Sequence, residues 1–158
     1  ESVVRAASYK LPLVLAIIGG EPARFAPYVE LYHRALKEFG AEPQPVAVHC
    51  PGFVAETDAA AVDTLWPHAR AMLTRIGRER GWPPPDRRRF EADVRDGAWH
   101  VGSPETVATK IAATVRALGV QRFDLKYSAG TLPHEAMTEA IERYGKQVIP
   151  RVRELLAD

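Results

Sequence analysis

Three short apolar runs, separated by helical segments, constrain the fold of this chain more than any other feature of its sequence. The runs are "LPLVLAII" at 11–18, "QPVAVHC" at 44–50 and "RFDLKYSAG" at 122–130. Each ends at or beside a glycine or a Pro-Gly pair, which is typical of a strand that enters a tight turn. Strands that alternate with helices through short turns predict a parallel α/β sheet with right-handed crossovers.

The segments between the runs carry helix signals. The clearest helix reads "GSPETVATKIAATVRALG" at 102–119, and Ser103 is its predicted N-cap. Another helix is predicted to begin at Thr57 or Asp58, and Pro67 is expected to kink or restart it.

The predicted order of elements is α-β-α-β-α-α-β-α, within a single partial α/β-barrel domain over residues 1–158. The final helix is expected to be interrupted near Gly145 and Pro150. The segment 81–101 is predicted to be an irregular insertion, and Arg87-Arg88-Arg89 within it a solvated loop.

Composition argues against several classes of protein. The formal net charge of +1 gives no support for binding to nucleic acid or to a membrane surface. The single Cys50 excludes an internal disulfide and suits a reducing compartment. The longest apolar run is far shorter than the roughly 20 residues that cross a bilayer, and the histidines lack metal-ligand spacing. We therefore expect a cytoplasmic protein without a metal site.

Three parallel strands are few for a complete sheet. Parallel sheets normally have both faces covered, and a three-stranded sheet exposes backbone groups along two edges. We therefore expect the chain to be part of something larger, in which the missing part of the sheet or a second copy of the chain covers these edges.

The carboxyl ends of the strands are where parallel α/β proteins bind their ligands. Glycines stand at each of the three predicted ends, in Gly19-Gly20, in Pro51-Gly52 and in Ser128-Ala129-Gly130. They indicate either a shared ligand site or only three tight turns.

The third run alternates between apolar and polar residues, unlike a parallel strand that is buried on both faces. In a closed barrel, Asp124, Lys126 and Ser128 would line the interior. Two interpretations remain open. Asp124 and Lys126 form a structural ion pair, or else Lys126 or Ser128 contacts an anionic ligand.

His49 and Cys50 are neighbours in the second run and therefore point to opposite faces of their strand. Cys50 is predicted to be a packing residue. His49, with Phe53 and Lys126, is predicted to line a substrate pocket. The "GSPET" stretch at 102–106 either presents a helix N-terminus to a phosphate or is only a well-capped helix.

Four stretches of the chain resemble the C-terminal half of luciferase-like flavin-dependent monooxygenases. They read "LPLVLAIIGGEPARFAPYVELYHRA", "VAVHCPGFVAET", "GSPETVATKIAATVRALGVQRFDLKYSAGTLPHE" and "VIPRVREL", and together they cover nearly the whole chain. The resemblance implies a (β/α)8 barrel of about twice this length or more, in which this chain supplies the last three βα units and the first five lie outside it.

The resemblance also implies a cofactor. Members of the family use reduced FMN, or in one branch the deazaflavin F420, and the flavin itself performs the chemistry, so no catalytic residue is assigned. The residues that the resemblance places against the cofactor are Ser2, Gly19, Gly20, Ser128 and Gly130. "ESVVRAA" would be the end of a phosphate-binding segment whose glycines are absent from this sequence.

Two functions of different classes follow. The first is the C-terminal portion of a flavin-dependent oxidoreductase, which is inactive without the N-terminal half and has a flavin reductase as a candidate partner. The alternative is a non-catalytic α/β module that self-associates through its open strand edges.

Overall fold

A four-stranded parallel sheet lies at the centre of the fold, which a computed structural model describes for residues 1–157. The strands are β1 (Leu13–Ala16), β2 (Val46–Val54), β3 (His100–Gly102) and β4 (Arg122–Lys126). The helices are α1 (Ser2–Ser8), α2 (Ala26–Glu38), α3 (Asp58–Arg80), α4 (Arg87–Asp96), α5 (Pro104–Leu118), α6 (His134–Arg143) and α7 (Ile149–Ala157). None of the helices described here has both the length and the apolar composition needed to cross a membrane.

Strand β2 is the centre of the sheet, because every other strand pairs with it. β1 pairs with residues 46–49 of β2, and β4 pairs with residues 47–51. The last part of β2, residues 52–54, pairs with β3. All three pairings are parallel, so the predicted parallel α/β sheet is confirmed, although the prediction of three strands missed the short β3.

Gly52 stands at the point where the partner of β2 changes from β4 to β3. A Cβ atom at this position would overlap the backbone carbonyl oxygen of His100 and a methyl group of Leu125. The Cβ atom and the His100 oxygen are both fixed by the backbone, so side-chain rotation cannot relieve the overlap between them. Glycine is therefore required for the close approach of β3 to β2.

The two faces of the sheet have different surroundings. Val46, Val48 and Cys50 of β2 point toward α1 and α2, and they form one continuous apolar core with buried residues of both helices. On the opposite face of the first apolar run, Val14 is 55% exposed and Ile18 is 65% exposed. The sheet is thus closed by helices on one side and presents apolar side chains to solvent on the other.

A second core joins α3, α4 and the segment before β3 through three aromatic rings. The ring centroids of Trp66 and Phe90 lie 5.2 Å apart, and those of Phe90 and Trp99 also lie 5.2 Å apart in an edge-to-face arrangement. Phe53 at the end of β2 belongs to the same core. Aromatic pairs of this kind contribute beyond the area that they bury, and they hold α3 and α4 against the end of β2.

The prediction of an irregular insertion at 81–101 is wrong where the structure has helix α4 and the start of β3. The carboxylate of Asp86 accepts a hydrogen bond from the Arg89 amide at 3.0 Å and caps α4. Arg87 pairs with Glu91 at 2.7 Å within this helix. The arginines are therefore the exposed first turn of a helix and not a loop, because the cap and the burial of Phe90 stabilise the helix despite its polar composition.

Pro67 does not restart helix α3, which continues from Asp58 to Arg80. Pro67 lies on the exposed side of the helix. The carbonyl group that loses its hydrogen-bond donor at a proline can bond to water on that side, so the helix tolerates the residue.

The ends of the other elements agree only in part with prediction. A 3₁₀ turn over Pro22–Phe25 precedes α2. A π-helical turn over Tyr144–Val148 joins α6 to α7, so the predicted interruption of the final helix is confirmed. The third apolar run forms a strand only as far as Lys126 and continues as a loop.

Replacement of Gly52 by alanine is expected to lower the free energy of unfolding by about 3 kcal/mol, because the new Cβ atom overlaps the His100 carbonyl oxygen. Urea denaturation followed by circular dichroism measures the change. Gly145→Ala is the matched control, since a Cβ atom at Gly145 meets no atom within 4 Å. The control should be as stable as the parent or slightly more stable, and equal stability of the two variants would contradict the close approach at Gly52.

Candidate functional site

The carboxyl ends of β1 and β4 lie along one edge of the sheet, on either side of β2 near Pro51, and we call this edge the rim. Ala16, His49 and Asp124 form one row across the three strands. Pro51 and Lys126 lie side by side, one step nearer the rim. Alternate residues of a strand share a face, so His49, Asp124 and Lys126 lie on the face opposite to the one that α1 and α2 cover.

Gly19 and Gly20 follow β1 at the rim, and both are exposed. A Cβ atom at either position would meet no atom within 4 Å. Gly20 has a φ of +75°, which residues with side chains disfavour. A tight turn therefore explains the glycine at position 20 but not the one at position 19, and together they leave open space beside the end of β1.

The charged residues of β4 do not form the Asp–Lys pair that was one of the two predicted alternatives. Asp124 accepts a hydrogen bond from Nε of Arg122 at 2.9 Å. Lys126 donates from Nζ to the backbone carbonyl oxygen of Ser128 at 2.6 Å. Lys126 consequently stands at the rim as a cation that Asp124 does not neutralise.

Helix α3 lies against the loop that follows β4, a contact that the sequence did not predict. Nδ1 of His68 lies 2.8 Å from the hydroxyl oxygen of Thr131. Gly130 has a φ of +55°, and a Cβ atom there would lie 3.2 Å from Cβ of Met72. Packing against α3 therefore explains the glycine at position 130, which the resemblance assigned to the cofactor.

The two serines that the resemblance placed at the cofactor lie in different parts of the molecule. Ser128 is exposed at the rim, next to the ammonium group of Lys126. Ser2 is exposed at the start of α1, which packs against α2 and β1 in the helix layer.

The prediction that Phe53 lines a pocket is wrong. Its side chain is 3% exposed and packs in the aromatic core, because β2 continues past the rim to pair with β3. His49 is half-buried and remains a candidate on the face that carries Lys126. Cys50 is fully buried on the other face. Burial raises the pKa of the Cys50 thiol to about 12, as suits a packing residue.

The N-terminus of α5 already holds a carboxylate from α3. The Ser103 amide donates to Oδ1 of Asp58 at 2.7 Å, and the Thr106 hydroxyl donates to Oδ2 at 3.0 Å. The hydrogen bond from the Ser103 amide holds the pKa of Asp58 below its ordinary value. Asp58 occupies the place that a phosphate would take at this helix end, so "GSPET" is a capped helix.

A separate group of polar side chains is buried behind the sheet. Nδ1 of His100 lies 2.9 Å from a backbone carbonyl oxygen, and Nε2 lies 3.2 Å from the Thr114 hydroxyl. Lys110 donates to two backbone carbonyl oxygens at 2.5 Å and 2.8 Å. Burial lowers the pKa of His100 to about 3 and that of Lys110 to about 8. These hydrogen bonds satisfy the buried groups, so the cluster joins α4 and β3 to α5.

Within residues 1–157, no group of three or more His, Cys, Asp or Glu side chains could hold a metal ion.

Comparisons with known proteins add to this geometry. A family model described as "Luciferase-like monooxygenase" matches residues 1–122 of the chain. No curated protein matches the sequence.

Solved structures share the fold over almost the whole chain. Monooxygenase RslO1 from Streptomyces bottropensis matches with a TM-score of 0.73 and 18% identity, over 94% of this chain and 44% of its own. The oxygenating constituent of 3,6-diketocamphane monooxygenase from Pseudomonas putida, solved in complex with FMN, matches with a TM-score of 0.72 and 22% identity, over 96% of this chain and 45% of its own.

The coenzyme F420-dependent tetrahydromethanopterin reductase from Methanopyrus kandleri matches with a TM-score of 0.56 and 19% identity, over 95% of this chain and 48% of its own. The chain thus spans less than half the length of each of these structures. The likeness confirms the predicted fold class, the C-terminal part of a (β/α)8 barrel.

Replacement of Asp58 by asparagine is expected to lower the free energy of unfolding by about 1 kcal/mol near neutral pH, because two hydrogen bonds lose their charged acceptor in an exposed setting. The folded-state pKa of Asp58 is lowered. Its contribution is therefore present above the ordinary carboxyl pKa of about 4 and is lost as the pH falls through the lower folded value. Urea unfolding at about pH 7 and about pH 2 should separate the variant from the parent only at the higher pH.

Glu42→Gln is the control for this comparison, since Glu42 is an exposed loop residue. It should shift the unfolding midpoint little at either pH. A stability difference for Asp58→Asn that stays the same at both pH values would contradict the role of the Asp58 charge.

Proposed function

The chain belongs to the luciferase-like monooxygenase family, and from this premise we propose that it is the C-terminal part of the barrel of a flavin-dependent monooxygenase. The observation that carries the proposal is the composition of the rim. An open glycine turn follows β1, and a half-buried His49 and the cation of Lys126 share one face of the sheet. This arrangement supplies space, a hydrogen-bonding imidazole and a positive charge at the edge where barrels of this kind bind their ligands.

The open space at the rim supports the binding of one side of a flavin there. Gly19 and Gly20 leave a volume free of side-chain atoms, which lets a ligand approach the backbone closely. Reduced FMN, when bound, would supply the oxygen-activating chemistry. We propose FMN in preference to F420, because the structure solved with FMN has the higher TM-score, 0.72 against 0.56.

His49 is the side chain that we propose to face the substrate. It lies level with Asp124 in the register of β2 and β4, and it is only partly buried. Its imidazole can donate a proton from one ring nitrogen and accept one at the other. In a closed barrel this face of the sheet becomes the interior. His49 would therefore form a hydrogen bond to the substrate inside the barrel.

We propose that activity requires the rest of the barrel. β1 and β4 are the outer strands of the paired set, so their outer edges present backbone groups for further strands. An N-terminal half-barrel would pair with these edges and supply the opposite wall of the pocket. A flavin reductase is the proposed source of reduced flavin. A cytoplasmic location suits the free, buried Cys50.

Quenching of FMN fluorescence tests flavin binding by this chain. We expect saturable but weak binding, with a Kd above about 0.1 mM, because only one side of the site is present. Gly19→Val should weaken binding several-fold, since its side chain fills the open space beside β1. Gly145→Val is the control, because Gly145 lies in the π-helical turn away from the rim. A chain that quenches neither FMN nor F420 at about 1 mM would overturn flavin binding by this part of the barrel.

The alternative function, a module that self-associates, is favoured by apolar side chains exposed near β1. They are Tyr9, Leu11, Val14 and Ile18. This alternative predicts a defined oligomer in sedimentation velocity and no binding of flavin. Ile18→Lys should then dissociate the oligomer, because a charge would enter the apolar contact. A monomeric parent chain would exclude the alternative.

A further inference from the structure

The loop that follows β4 carries backbone N–H groups that find no acceptor within the protein. We define the β4 loop as residues 127–131. Within the part of the chain that the structure describes, the amides of residues 128–131 donate to no backbone or side-chain acceptor. The next amide, that of Leu132, bonds to the carbonyl oxygen of Ala129 at 3.0 Å. Amides of this kind are satisfied by water or by a ligand.

Lys126 adds a positive charge beside these amides. Its Nζ donates to the Ser128 carbonyl oxygen at 2.6 Å, which holds the ammonium group next to the loop. An ammonium group has three N–H donors, so donors remain for a ligand. Asp124, two residues earlier on the same face, is paired with Arg122. Among the salt bridges of residues 1–157, none involves Lys126.

Helix α3 holds the β4 loop in place. The hydrogen bond between His68 and Thr131 and the contact between Gly130 and Met72 fasten the loop to the middle of this helix. A loop that is held by such contacts loses less conformational entropy when it binds a ligand than a loop without them. The amides of the β4 loop lie beside the cation of Lys126 and the exposed hydroxyl group of Ser128.

We propose that the β4 loop binds the anionic group of the substrate through the amides of residues 128–131, the ammonium group of Lys126 and the hydroxyl group of Ser128. Phosphate, sulfonate and carboxylate groups all present oxygen atoms that accept from such donors, and consecutive backbone amides form anion-binding concavities. The flavin phosphate has a separate expected place at Ser2, which lies in the helix layer. The assignment of the anion to the substrate rests on the proposed function, whereas anion binding by the loop does not.

An NMR titration of the ¹⁵N-labelled chain with inorganic phosphate, at constant ionic strength, tests the site. We expect saturable shifts of the amides of residues 128–131, with a Kd on the order of 1 mM. Lys126→Met should weaken binding roughly tenfold, because the charge-assisted hydrogen bond is lost. Lys126→Arg keeps the charge and should retain binding within about threefold. Lys37→Met, which removes an exposed lysine of α2, is the control and should bind phosphate as the parent does.

Three results would overturn anion binding at this loop. They are shifts that do not saturate, shifts centred on the arginine-rich stretch at 75–89 instead of the loop, and equal affinities of the parent and Lys126→Met. Lys126→Arg separates loss of charge from damage to the loop, because it preserves the donor to the Ser128 carbonyl oxygen.

Competition with FMN and riboflavin identifies the source of the anion. Phosphate binding that persists in a chain saturated with FMN supports a substrate group. Displacement of phosphate by FMN but not by riboflavin, which lacks the phosphate, would overturn the assignment to the substrate. A further result is that phosphate shifts the loop amides of a chain that does not quench the fluorescence of a flavin. That result would support the anion site and would count against the proposed function alone.

Discussion

The pairing of every other strand with β2 is the interaction on which the rest of the structure depends. β1 and β4 pair with its first part, and β3 pairs with its last three residues. The change of partner is sterically allowed because Gly52 has no side chain at the point where the His100 carbonyl oxygen approaches. β2 thereby fixes the register of the sheet, and that register decides which side chains of β1 and β4 lie beside His49.

The unequal covering of the two sheet faces turns this register into a candidate site. On one face, Val46, Val48 and Cys50 pack with α1 and α2 and are removed from water. The burial of apolar side chains is the main stabilising contribution to the folding of a domain. The other face carries His49 and Lys126 and stays accessible, so polar groups there can bond to water or to a ligand. The residues that stabilise the fold and the residues of the candidate site therefore lie on opposite faces of the same strands.

Local signals in the sequence predicted the parallel fold and much of the helix capping. Thr57 accepts from the Ala60 amide at 3.1 Å, and Ser103 accepts from the Thr106 amide at 3.4 Å, as N-caps should. The strand period correctly placed His49 and Cys50 on opposite faces of β2, and Cys50 lies in the core. The same period could not show that β2 continues beyond the rim, which is why Phe53 was wrongly expected in a pocket. The polar composition of 81–101 likewise concealed α4, whose stability depends on one cap and one buried aromatic ring.

The sequence by itself determined the alternation of helices with β1, β2 and β4, the glycine turns and the family resemblance, because each depends on residues close together in the chain. It missed α4 and the short β3. Only the tertiary structure decided that Asp58 caps α5 across 45 residues and that His68 holds the β4 loop across 63 residues. Contacts between such distant residues leave no periodic pattern. They arise because the sheet brings the ends of its strands to one edge, where the start of α3 meets α5 and its middle meets the β4 loop.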